Sequence, residues 1–444
     1  MPGIARLTLR GFGRTNSVTV PAVRPEREHA LVAAVRDGAP DGVLAHGGGR
    51  SYGDCALVKD GTAVLTRRLD RLLDFDAASG EVVCEAGVTM GEVLRVLGPR
   101  GFFPPACPGS ARVTIGGAIA NDVHGKDQAR AGSFGHHVRW IDLVLASGEV
   151  VRVSRDARPE LFEATIGGVG LTGVVLRACV TLAAAPSTAI AARARRIAHL
   201  DELLIALDQA ARTSPYLVAW IDGTARGDAF GRGILETAEP APDGTGTWLP
   251  SSRVPEVGAI PSVPFLPSAI AGWNAWRLRR VSEAGRSRTL AAGRFFFPLE
   301  AGHVYTHLRM HELHAVFPES DAGKGLRRVL EAVGDSEVVP LLVVVKRFGR
   351  PGLGHLSFAI PGHSLVIDLP AGAGARELLD RVEGTVAEHG GRIYLAKDST
   401  LSAERFARMY PRLPALRRVL SEIDPRGVFR SELAARLRVR EASA

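Results

Sequence analysis

Residues 45–54, AHGGGRSYGD, form the first stretch whose residue types and spacing could do chemistry. They follow the short apolar run at 42–44, so we predict a loop that leaves a strand. Successive backbone N–H groups in such a loop can point into one concavity and bind an anion such as a pyrophosphate. The loop has neither the Gly-Lys-Ser/Thr ending of a Walker motif nor a GxGxxG turn entering a helix, so alone it is weak support for a phosphate site.

Residues 108–135 form the second such stretch, with the pair Gly116-Gly117 near its start. Glycine lets a backbone come close to a ligand or to another backbone, because it has no Cβ. A buried glycine turn with one satisfied histidine would explain this stretch about equally well. Two glycine-rich stretches with their own polar residues favour a ligand site more than either alone. The polar residues of the second stretch are Asn121, Asp122, His124 and Lys126.

Several longer blocks carry a family resemblance: GGGRSYGD at 47–54, PGSARVTIGGAIANDVHGK at 108–126, AGSFGHHVRWIDL at 131–143, GGVGLTGVV at 167–175, YLAKDS at 394–399 and IDPRGVFRSELAARL at 423–437. In this order they resemble the decaprenylphosphoryl-ribose oxidase family, flavin-dependent enzymes of the vanillyl-alcohol-oxidase superfamily. The match is weaker in the middle of the chain. The resemblance implies a PCMH-type FAD-binding domain and an FAD-dependent oxidoreductase that acts on a CH–OH group of a sugar-like small molecule. It leaves the substrate and the electron acceptor, oxygen or another molecule, unspecified.

The resemblance also implies which residues hold FAD, through backbone donors and close contacts. Covalent attachment in the wider superfamily often uses a histidine within the first glycine loop, but here no histidine follows the glycines, so we predict non-covalent flavin. His46 precedes the glycines, and a loop histidine is more often a simple hydrogen-bonding group than a flavin linkage. The predicted cofactor-binding residues are Ala45, His46, Gly47, Gly48, Gly49, Arg50, Ser51, Tyr52, Gly53, Gly109, Ser110, Thr114, Ile115, Gly116, Gly117, Asn121, Asp122, Val123, His124, Val175, Tyr394 and Lys397.

Three residues are candidates for catalysis. Lys397, in YLAKDS, would stabilise the negative charge that develops at the N1–C2=O edge of a flavin as hydride arrives at N5; the alternative is a surface lysine paired with Asp398. Lys346 follows the apolar run at 341–345 and matches a substrate-pocket lysine of the family, although a lysine at a strand end can also snorkel to solvent. His314 falls near a polar pocket residue of the family and could take the hydroxyl proton as hydride leaves the carbon. It could equally be an ordinary polar side chain.

Two positions depart from the family pattern. The family's strand NICVDFP has a cysteine where this chain has Val366, and its segment FYHPLD has a tyrosine where this chain has Phe296. Loss of a thiol and a phenol would change the substrate pocket and leave the flavin domain intact, which disfavours the family's lipid-linked pentose phosphate and favours a related sugar, nucleoside or alditol. The predicted substrate is therefore a sugar-like molecule such as a pentose phosphate, a nucleoside or a related compound. Arg277 and Arg280, near the predicted pocket, could bind a phosphate.

Composition bounds the other function classes. The chain has 444 residues, 46% of them hydrophobic, which predicts two domains of a globular protein. Its four cysteines lack metal-site or disulfide spacing, so we predict no metal and a reducing, cytoplasmic location. The net charge of +8 comes from scattered arginines, so no nucleic-acid partner is predicted. No 18-residue apolar span is present, so we predict no transmembrane segment, and peripheral contact with a membrane stays open.

Mixed strand and helix periodicity predicts an α+β fold of two domains. We predict an FAD-binding domain at 1–183 and an inserted substrate domain at 184–391, built on an antiparallel sheet flanked by helices. The resemblance implies that a C-terminal segment, 392–444, returns to the FAD-binding domain. The long Pro- and Gly-rich loop at 239–267 is predicted to be a lid, a binding loop or disordered.

Local patterns predict individual elements of this fold. Thr89 with Glu92 predicts a capping box that opens a helix through residue 97. Asp201 is the predicted N-cap of a helix at 200–211. A strand is predicted at Tyr216–Ile221 and a helix at Ala373–Glu388.

Other functions remain open. An alditol or sugar-lactone oxidase of the same superfamily is one, less favoured because those enzymes commonly carry the flavin-linking histidine. A flavin-fold binding subunit without catalysis is another, and the retained glycine loops and Lys397 argue against it. A nucleic-acid-binding protein is supported by charge alone.

Overall fold

The structure is a computed structural model, and it describes residues 5–184, 187–242, 267–282, 285–298 and 308–440. Most of the loop predicted at 239–267 therefore lies outside the described residues. The fold is α+β, which confirms the predicted class. Helices and mostly antiparallel sheets alternate along the chain, and the sheets fall into an N-terminal and a middle group.

The N-terminal group contains a four-stranded sheet in the order β1-β2-β4-β3 and a five-stranded antiparallel sheet in the order β5-β6-β10-β8-β9. In the smaller sheet β4 pairs in parallel with both β2 and β3, so the first glycine loop leaves the end of a parallel strand. The strands are β1 (Ala5–Arg10), β2 (Ser17–Val23), β3 (Val43–His46), β4 (Thr62–Leu65), β5 (Leu72–Asp76), β6 (Glu81–Glu85), β7 (Phe102–Phe103), β8 (Val138–Val144), β9 (Val150–Ser154), β10 (Val174–Thr181) and β11 (Ala183–Ala184), the last pairing with β7.

Two helices of this group begin at residues whose side chains cap them. The predicted capping box is confirmed, because the Thr89 hydroxyl accepts from the Glu92 N–H at 3.2 Å and the Glu92 carboxylate accepts from the Thr89 N–H at 2.7 Å. Thr114 caps the short helix that carries Gly116 and Gly117 in the same way, accepting from the Gly117 N–H. The helices are α1 (Glu28–Gly38), α2 (Met90–Leu97), α3 (Ile115–Ala120), α4 (Gln128–Ala131) and α5 (Pro159–Thr165).

The middle of the chain forms one eight-stranded antiparallel sheet in the order β15-β12-β14-β13-β17-β18-β16-β19. The predicted strand Tyr216–Ile221 is one of its central members. The strands are β12 (Ala189–Ile197), β13 (Tyr216–Ile221), β14 (Gly233–Pro240), β15 (Arg286–Ala291), β16 (Met310–Pro318), β17 (Leu342–Phe348), β18 (Gly362–Pro370) and β19 (Arg392–Ile393).

The two faces of this sheet differ in composition. Successive side chains of a strand point to opposite faces. On β16, Leu313, Ala315 and Phe317 belong to the main hydrophobic core, which they share with helix residues such as Leu326 and Leu378. The residues that alternate with them along the strand, such as Glu312 and His314, are therefore directed to the other face, where a site can form.

Five α-helices lie in the described residues of this part of the chain. The predicted helix Ala373–Glu388 has the observed bounds. The predicted cap Asp201 is wrong: His199 is the N-cap and its ring accepts from the Glu202 N–H at 3.3 Å. Asp201 lies instead in the first turn, where a negative charge suits the helix dipole. The helices are α6 (Leu200–Thr213), α7 (Pro267–Arg279), α8 (Ala292–Phe296), α9 (Ala322–Gly334) and α10 (Ala373–Glu388).

After β19 the chain contacts the N-terminal sheets again. The Val43 N–H donates to the Val428 carbonyl at 2.8 Å. Arg436 donates to both oxygens of Asp54, at 2.9 and 2.7 Å, and to Asp398 at 2.9 Å, so one guanidinium joins the ends of two loops. The exact domain boundaries at residues 183 and 391 remain predictions. The last helices are α11 (Ala403–Met409), α12 (Leu413–Ile423) and α13 (Glu432–Arg436).

Within the described ranges, every helix is too short or too polar to span a lipid bilayer.

Candidate active site

A cavity of about 320 Å³ lies between the two glycine loops and the polar face of the eight-stranded sheet. Ligand pockets commonly enclose about 300–1,000 Å³. All three predicted catalytic residues, Lys397, Lys346 and His314, line it. Most of the predicted cofactor-binding residues line it too: Ala45, Gly47, Gly48, Gly49, Arg50, Ser51, Tyr52, Gly109, Ser110, Thr114, Gly116, Gly117, Asn121, Val123, His124, Val175, Tyr394 and Lys397.

Four predicted cofactor-binding residues lie behind the cavity wall. His46 faces away, because its Nδ1 is 3.0 Å from the Ala56 carbonyl, and burial lowers its pKa. Gly53 packs against the Asp398 carbonyl so closely that a Cβ would lie 1.6 Å from that oxygen. Ile115 is a core residue, 1% exposed. These three support the wall and do not contribute to its surface.

Asp122 is the fourth, and it joins segments from two parts of the chain. Its buried carboxylate accepts from the Ser133 hydroxyl at 2.8 Å, the Ser357 hydroxyl at 2.5 Å and the Gly135 N–H at 2.8 Å. Its φ of 42° is in the left-handed region, where few non-glycine residues lie. Burial raises the pKa of Asp122 against the effect of these donors. The residue therefore holds the wall in place from behind.

Glycines in the first loop let the two glycine stretches touch. A Cβ on Gly47 would lie 2.5 Å from the Thr114 hydroxyl, and one on Gly48 would lie 2.1 Å from the Arg112 carbonyl. Gly49 has φ of 62°, a conformation that glycine adopts readily. The glycines are therefore required for loop-to-loop contact, whether or not a ligand approaches them.

The same loop leaves backbone donors for a ligand. Among the described residues, the N–H groups of Gly47, Gly48 and Gly49 donate to no acceptor. These residues line the cavity, and α3, whose N-terminus favours negative charge, begins beside them. Unpaired donors of this kind fit the diphosphate of FAD, and the apolar residues farther along the wall, such as Val175 and Val123, fit a flat ring.

The opposite wall is the sheet face, and it carries paired charges. The Lys397 ammonium lies 3.2 Å from one oxygen of Glu312 and 3.7 Å from the centroid of the Tyr52 ring. Burial alone would raise the pKa of Glu312, but Lys397 and His314 together hold it below its ordinary value. Asp398, the alternative partner of Lys397, pairs with Arg436 instead. The ammonium is thus directed into the cavity region by a buried carboxylate.

His314 and His124 lie in an aromatic part of this wall. Their ring centroids are 4.9 Å apart, and both rings contact Phe358 and Tyr394. Burial lowers the pKa of His314 to about 4 although Glu312 opposes the shift, and burial with the nearby Lys346 lowers the pKa of His124 well below its usual range. Neither ring nitrogen of His314 has a hydrogen-bond partner in the described residues. His314 is therefore neutral at pH 7 and able to accept a proton.

Two buried lysines complete the polar lining. Burial lowers the pKa of Lys346 to about 8, and Glu312 opposes that shift. Burial also lowers the pKa of Lys126 to about 8; its ammonium donates to the Phe295 carbonyl and lies 3.7 Å from that ring's centroid. Both groups are close enough to neutrality to donate or exchange a proton near physiological pH.

The two positions at which this chain departs from the family pattern line the cavity, whereas Arg277 and Arg280 do not. Val366 lies opposite His314 in the β16–β18 register, and both Val366 and Phe296 line the cavity. Arg277 and Arg280 are absent from its described lining; they lie over the rings of Trp220 and Trp276. The phosphate site suggested for those arginines is therefore not part of this cavity.

Sequence reasoning missed two carboxyl groups of the sheet wall. Glu312 and Asp368 line the cavity and lie directly opposite each other in the β16–β18 register. Burial, and then the charge of Glu312, raises the pKa of Asp368 well above its ordinary value. Each is two residues from a position singled out above, His314 or Val366, so the two-residue period of a strand was the signal that could have found them.

Comparisons with known proteins agree with this geometry. The FAD binding domain model matches residues 21–154, and the D-arabinono-1,4-lactone oxidase model matches residues 368–437. A decaprenylphosphoryl-β-D-ribose oxidase of Mycolicibacterium smegmatis is 32% identical over 97% of each chain. An uncharacterized protein of Streptomyces coelicolor is 34% identical over 79% of this chain and 100% of its own. A D-arabinono-1,4-lactone oxidase of Eremothecium gossypii is 25% identical over 51% of this chain and 42% of its own.

The α+β fold, the FAD-binding domain and the cavity between its loops and a sheet define a flavoprotein oxidoreductase with FAD as its cofactor. Two of the relatives reported above are named as oxidases. Since similarity to the mycobacterial enzyme extends over 97% of both chains, the protein belongs to the decaprenylphosphoryl-β-D-ribose oxidase family.

Proposed function

We propose that the protein oxidises an alcohol carbon of a sugar-like substrate, such as a pentose phosphate or a nucleoside, to a carbonyl. The cofactor, when bound, supplies a hydride acceptor at N5. The protein's part is to bind the substrate against the sheet wall, to take the hydroxyl proton and to stabilise charge. The observation that carries the proposal is the convergence of Lys397, Lys346 and His314 on the cavity that the glycine loops also line.

Each of these residues has a role that its surroundings support. Lys397, fixed by Glu312 at 3.2 Å, supplies a positive charge on the cavity wall for the anion that forms on reduction. His314, neutral and with unpaired ring nitrogens, is the acceptor for the hydroxyl proton. Lys346, two residues from Val344 on the same face, is a hydrogen-bond donor to substrate oxygens. Backbone donors of the first glycine loop hold the cofactor diphosphate without a covalent bond.

Anaerobic bleaching of the bound flavin tests this function. Phosphorylated and free pentoses, nucleosides and alditols are added one at a time to the oxygen-free holoenzyme, and the visible absorbance is followed. We expect one sugar-like alcohol to remove the absorbance of oxidised flavin, and readmitted oxygen to show whether oxygen serves as electron acceptor. Bleaching by dithionite but by none of the alcohols would contradict the proposal and favour a non-catalytic flavin-binding subunit.

A sugar-lactone or alditol oxidase is the second candidate. It is supported by the match of residues 368–437 to the D-arabinono-1,4-lactone oxidase model, which includes Asp368 and Lys397. Adding D-arabinono-1,4-lactone to the same screen separates the candidates, because preference for the lactone over every pentose phosphate would favour the second. The cytoplasmic location and peripheral membrane contact remain predictions.

A further inference from the structure

Among the described residues, the carboxylate of Glu312 lies between two of the proposed catalytic side chains. One of its oxygens is 3.2 Å from the Lys397 ammonium, and the other is 3.6 Å from Nδ1 of His314. The carboxyl side chain is 6% exposed and that of His314 is 4% exposed. A buried carboxylate at this distance can form a hydrogen bond to the imidazole after a small rotation.

We infer that Glu312 is a positioning residue, which keeps the proton of neutral His314 on Nδ1 and so leaves the Nε2 lone pair for the substrate hydroxyl. This inference rests on the proposed function. A carboxylate that holds an imidazole in one tautomer and then stabilises the imidazolium is a known arrangement in acid–base catalysis. Here the same carboxylate also fixes the Lys397 ammonium, so one residue sets the geometry of both partners.

The proton and electron balance follows from this arrangement. The C–H bond of the alcohol carbon breaks, and its electron pair leaves as hydride. The O–H bond breaks, and its proton goes to Nε2 of His314 while the C–O bond becomes a carbonyl. The substrate is oxidised by two electrons, and a bound oxidised flavin would supply the two-electron acceptor. His314 becomes an imidazolium, whose charge faces the Glu312 carboxylate.

The groups that face this pair come from four segments. Asp368 on β18 lies opposite Glu312, and burial together with the charge of Glu312 raises its pKa well above the ordinary value. Lys346 on β17 and Lys397 are positive and lower the pKa of His314. His124, from the segment after α3, packs edge-on against the His314 ring. Among these groups, Glu312 is the one whose charge raises the pKa of His314.

Two measurements on the holoenzyme and Glu312→Gln test the inference. The amide keeps the size of the side chain but removes its charge. We expect flavin reduction at saturating substrate and pH 7 to slow about 10²-fold, within the range for a mispositioned general base. The acid limb of the pH profile of flavin reduction should lie at lower pH in Glu312→Gln than in the wild type, since Glu312 raises the pKa of His314. Glu312→Asp should recover part of the rate.

The tautomer of His314 is measured by NMR in the absence of substrate. In ¹⁵N-histidine-labelled protein, the His314 signals are assigned by their loss in His314→Gln, and we expect Nδ1 protonated and Nε2 unprotonated in the wild type. In Glu312→Gln this preference should weaken. Glu85→Gln is the matched control, because Glu85 is also buried and ion-paired, to Arg71 at 2.6 Å, but does not line the cavity.

The outcomes separate the two proposals. An unchanged His314 tautomer and an unchanged pH profile in Glu312→Gln would overturn the positioning role, even if sugar alcohols bleach the flavin. Failure of every alcohol to bleach the wild-type flavin would remove the proposed function. The tautomer measurement would in that case still report on Glu312, because it needs no substrate.

Discussion

The two walls of the cavity hold their polar groups in different ways. The glycine-loop wall presents backbone N–H groups, and its shape is set by close contact between two loops, as at Gly48 and the Arg112 carbonyl. The sheet wall presents side chains that fix one another, as Glu312 fixes Lys397. The glycine-loop wall tolerates few substitutions, because its backbones are in close contact. On the sheet wall, a single substitution changes the chemical groups that face the cavity. Substitutions on the sheet wall can therefore alter the pocket while the backbone donors of the glycine-loop wall stay in place.

The largest expected effect tests the side-chain wall. Lys397→Ala should slow flavin reduction by substrate about 10²–10³-fold, because a preorganised charge at the developing anion is lost. FAD affinity should fall far less, since the proposed site of the diphosphate is the glycine loop. Anaerobic stopped-flow absorbance gives the reduction rate, and titration of apoprotein with FAD gives the affinity. A reduction rate equal to that of the wild type would rule out the role.

The next effect tests the backbone wall. Gly48→Ala would put a Cβ 2.1 Å from the Arg112 carbonyl, so the two loops must separate. We expect a loss of about 1–3 kcal/mol in stability and weaker FAD binding, measured by thermal unfolding with and without FAD. Gly272→Ala is the matched control, because no described atom outside its own helix lies within 4 Å of its added Cβ. Equal FAD affinity in the two variants would mean that the loop contact does not shape the cofactor site.

A third prediction concerns pH. The pKa of His314 is lowered from 6.5 to about 4 by burial, so between these values the unfolded chain binds more protons than the folded one. Stability should therefore fall as pH drops from 6.5 toward 4. His314→Gln should make the midpoint of thermal unfolding less sensitive to pH over this interval. If the two proteins show the same pH slope, His314 is not buried in its neutral form.

The smallest expected effect concerns two cavity positions that could contact the substrate. Val366→Cys and Phe296→Tyr restore the family residues at two cavity positions, and both changes nearly conserve volume. We expect stability to change by less than about 1.5 kcal/mol and FAD affinity to stay the same. The ratio of kcat/KM between a pentose phosphate and a free pentose should shift by roughly tenfold. No shift in that ratio would indicate that neither position touches the substrate.

Contiguous signals in the sequence were the most informative. The capping box at Thr89, the helix Ala373–Glu388 and the strand Tyr216–Ile221 could be predicted because each is specified by local periodicity or a local cap. Asp201 was a wrong cap because a second side chain that can accept a hydrogen bond, His199, lies two residues earlier and caps the helix. Local sequence does not decide between such neighbours.

The sheet wall was harder to predict because its residues come from separate strands. Glu312 and Asp368 are 56 residues apart, and only the β16–β18 register brings them together. His46 and Asp122 show the reverse difficulty, since they belong to glycine motifs yet point away from the cavity. A motif identifies the segment at a site, but side-chain direction depends on the fold.

The contact of Arg436 with Asp54 and Asp398 has a consequence for biosynthesis. Asp54 follows the loop that carries Tyr52, and Asp398 follows Lys397, so the guanidinium ties together segments that lie nearly 350 residues apart. A nascent chain still attached to the ribosome lacks this connection until its final helix emerges. The two segments that carry Tyr52 and Lys397 are consequently joined late, after translation has passed residue 436.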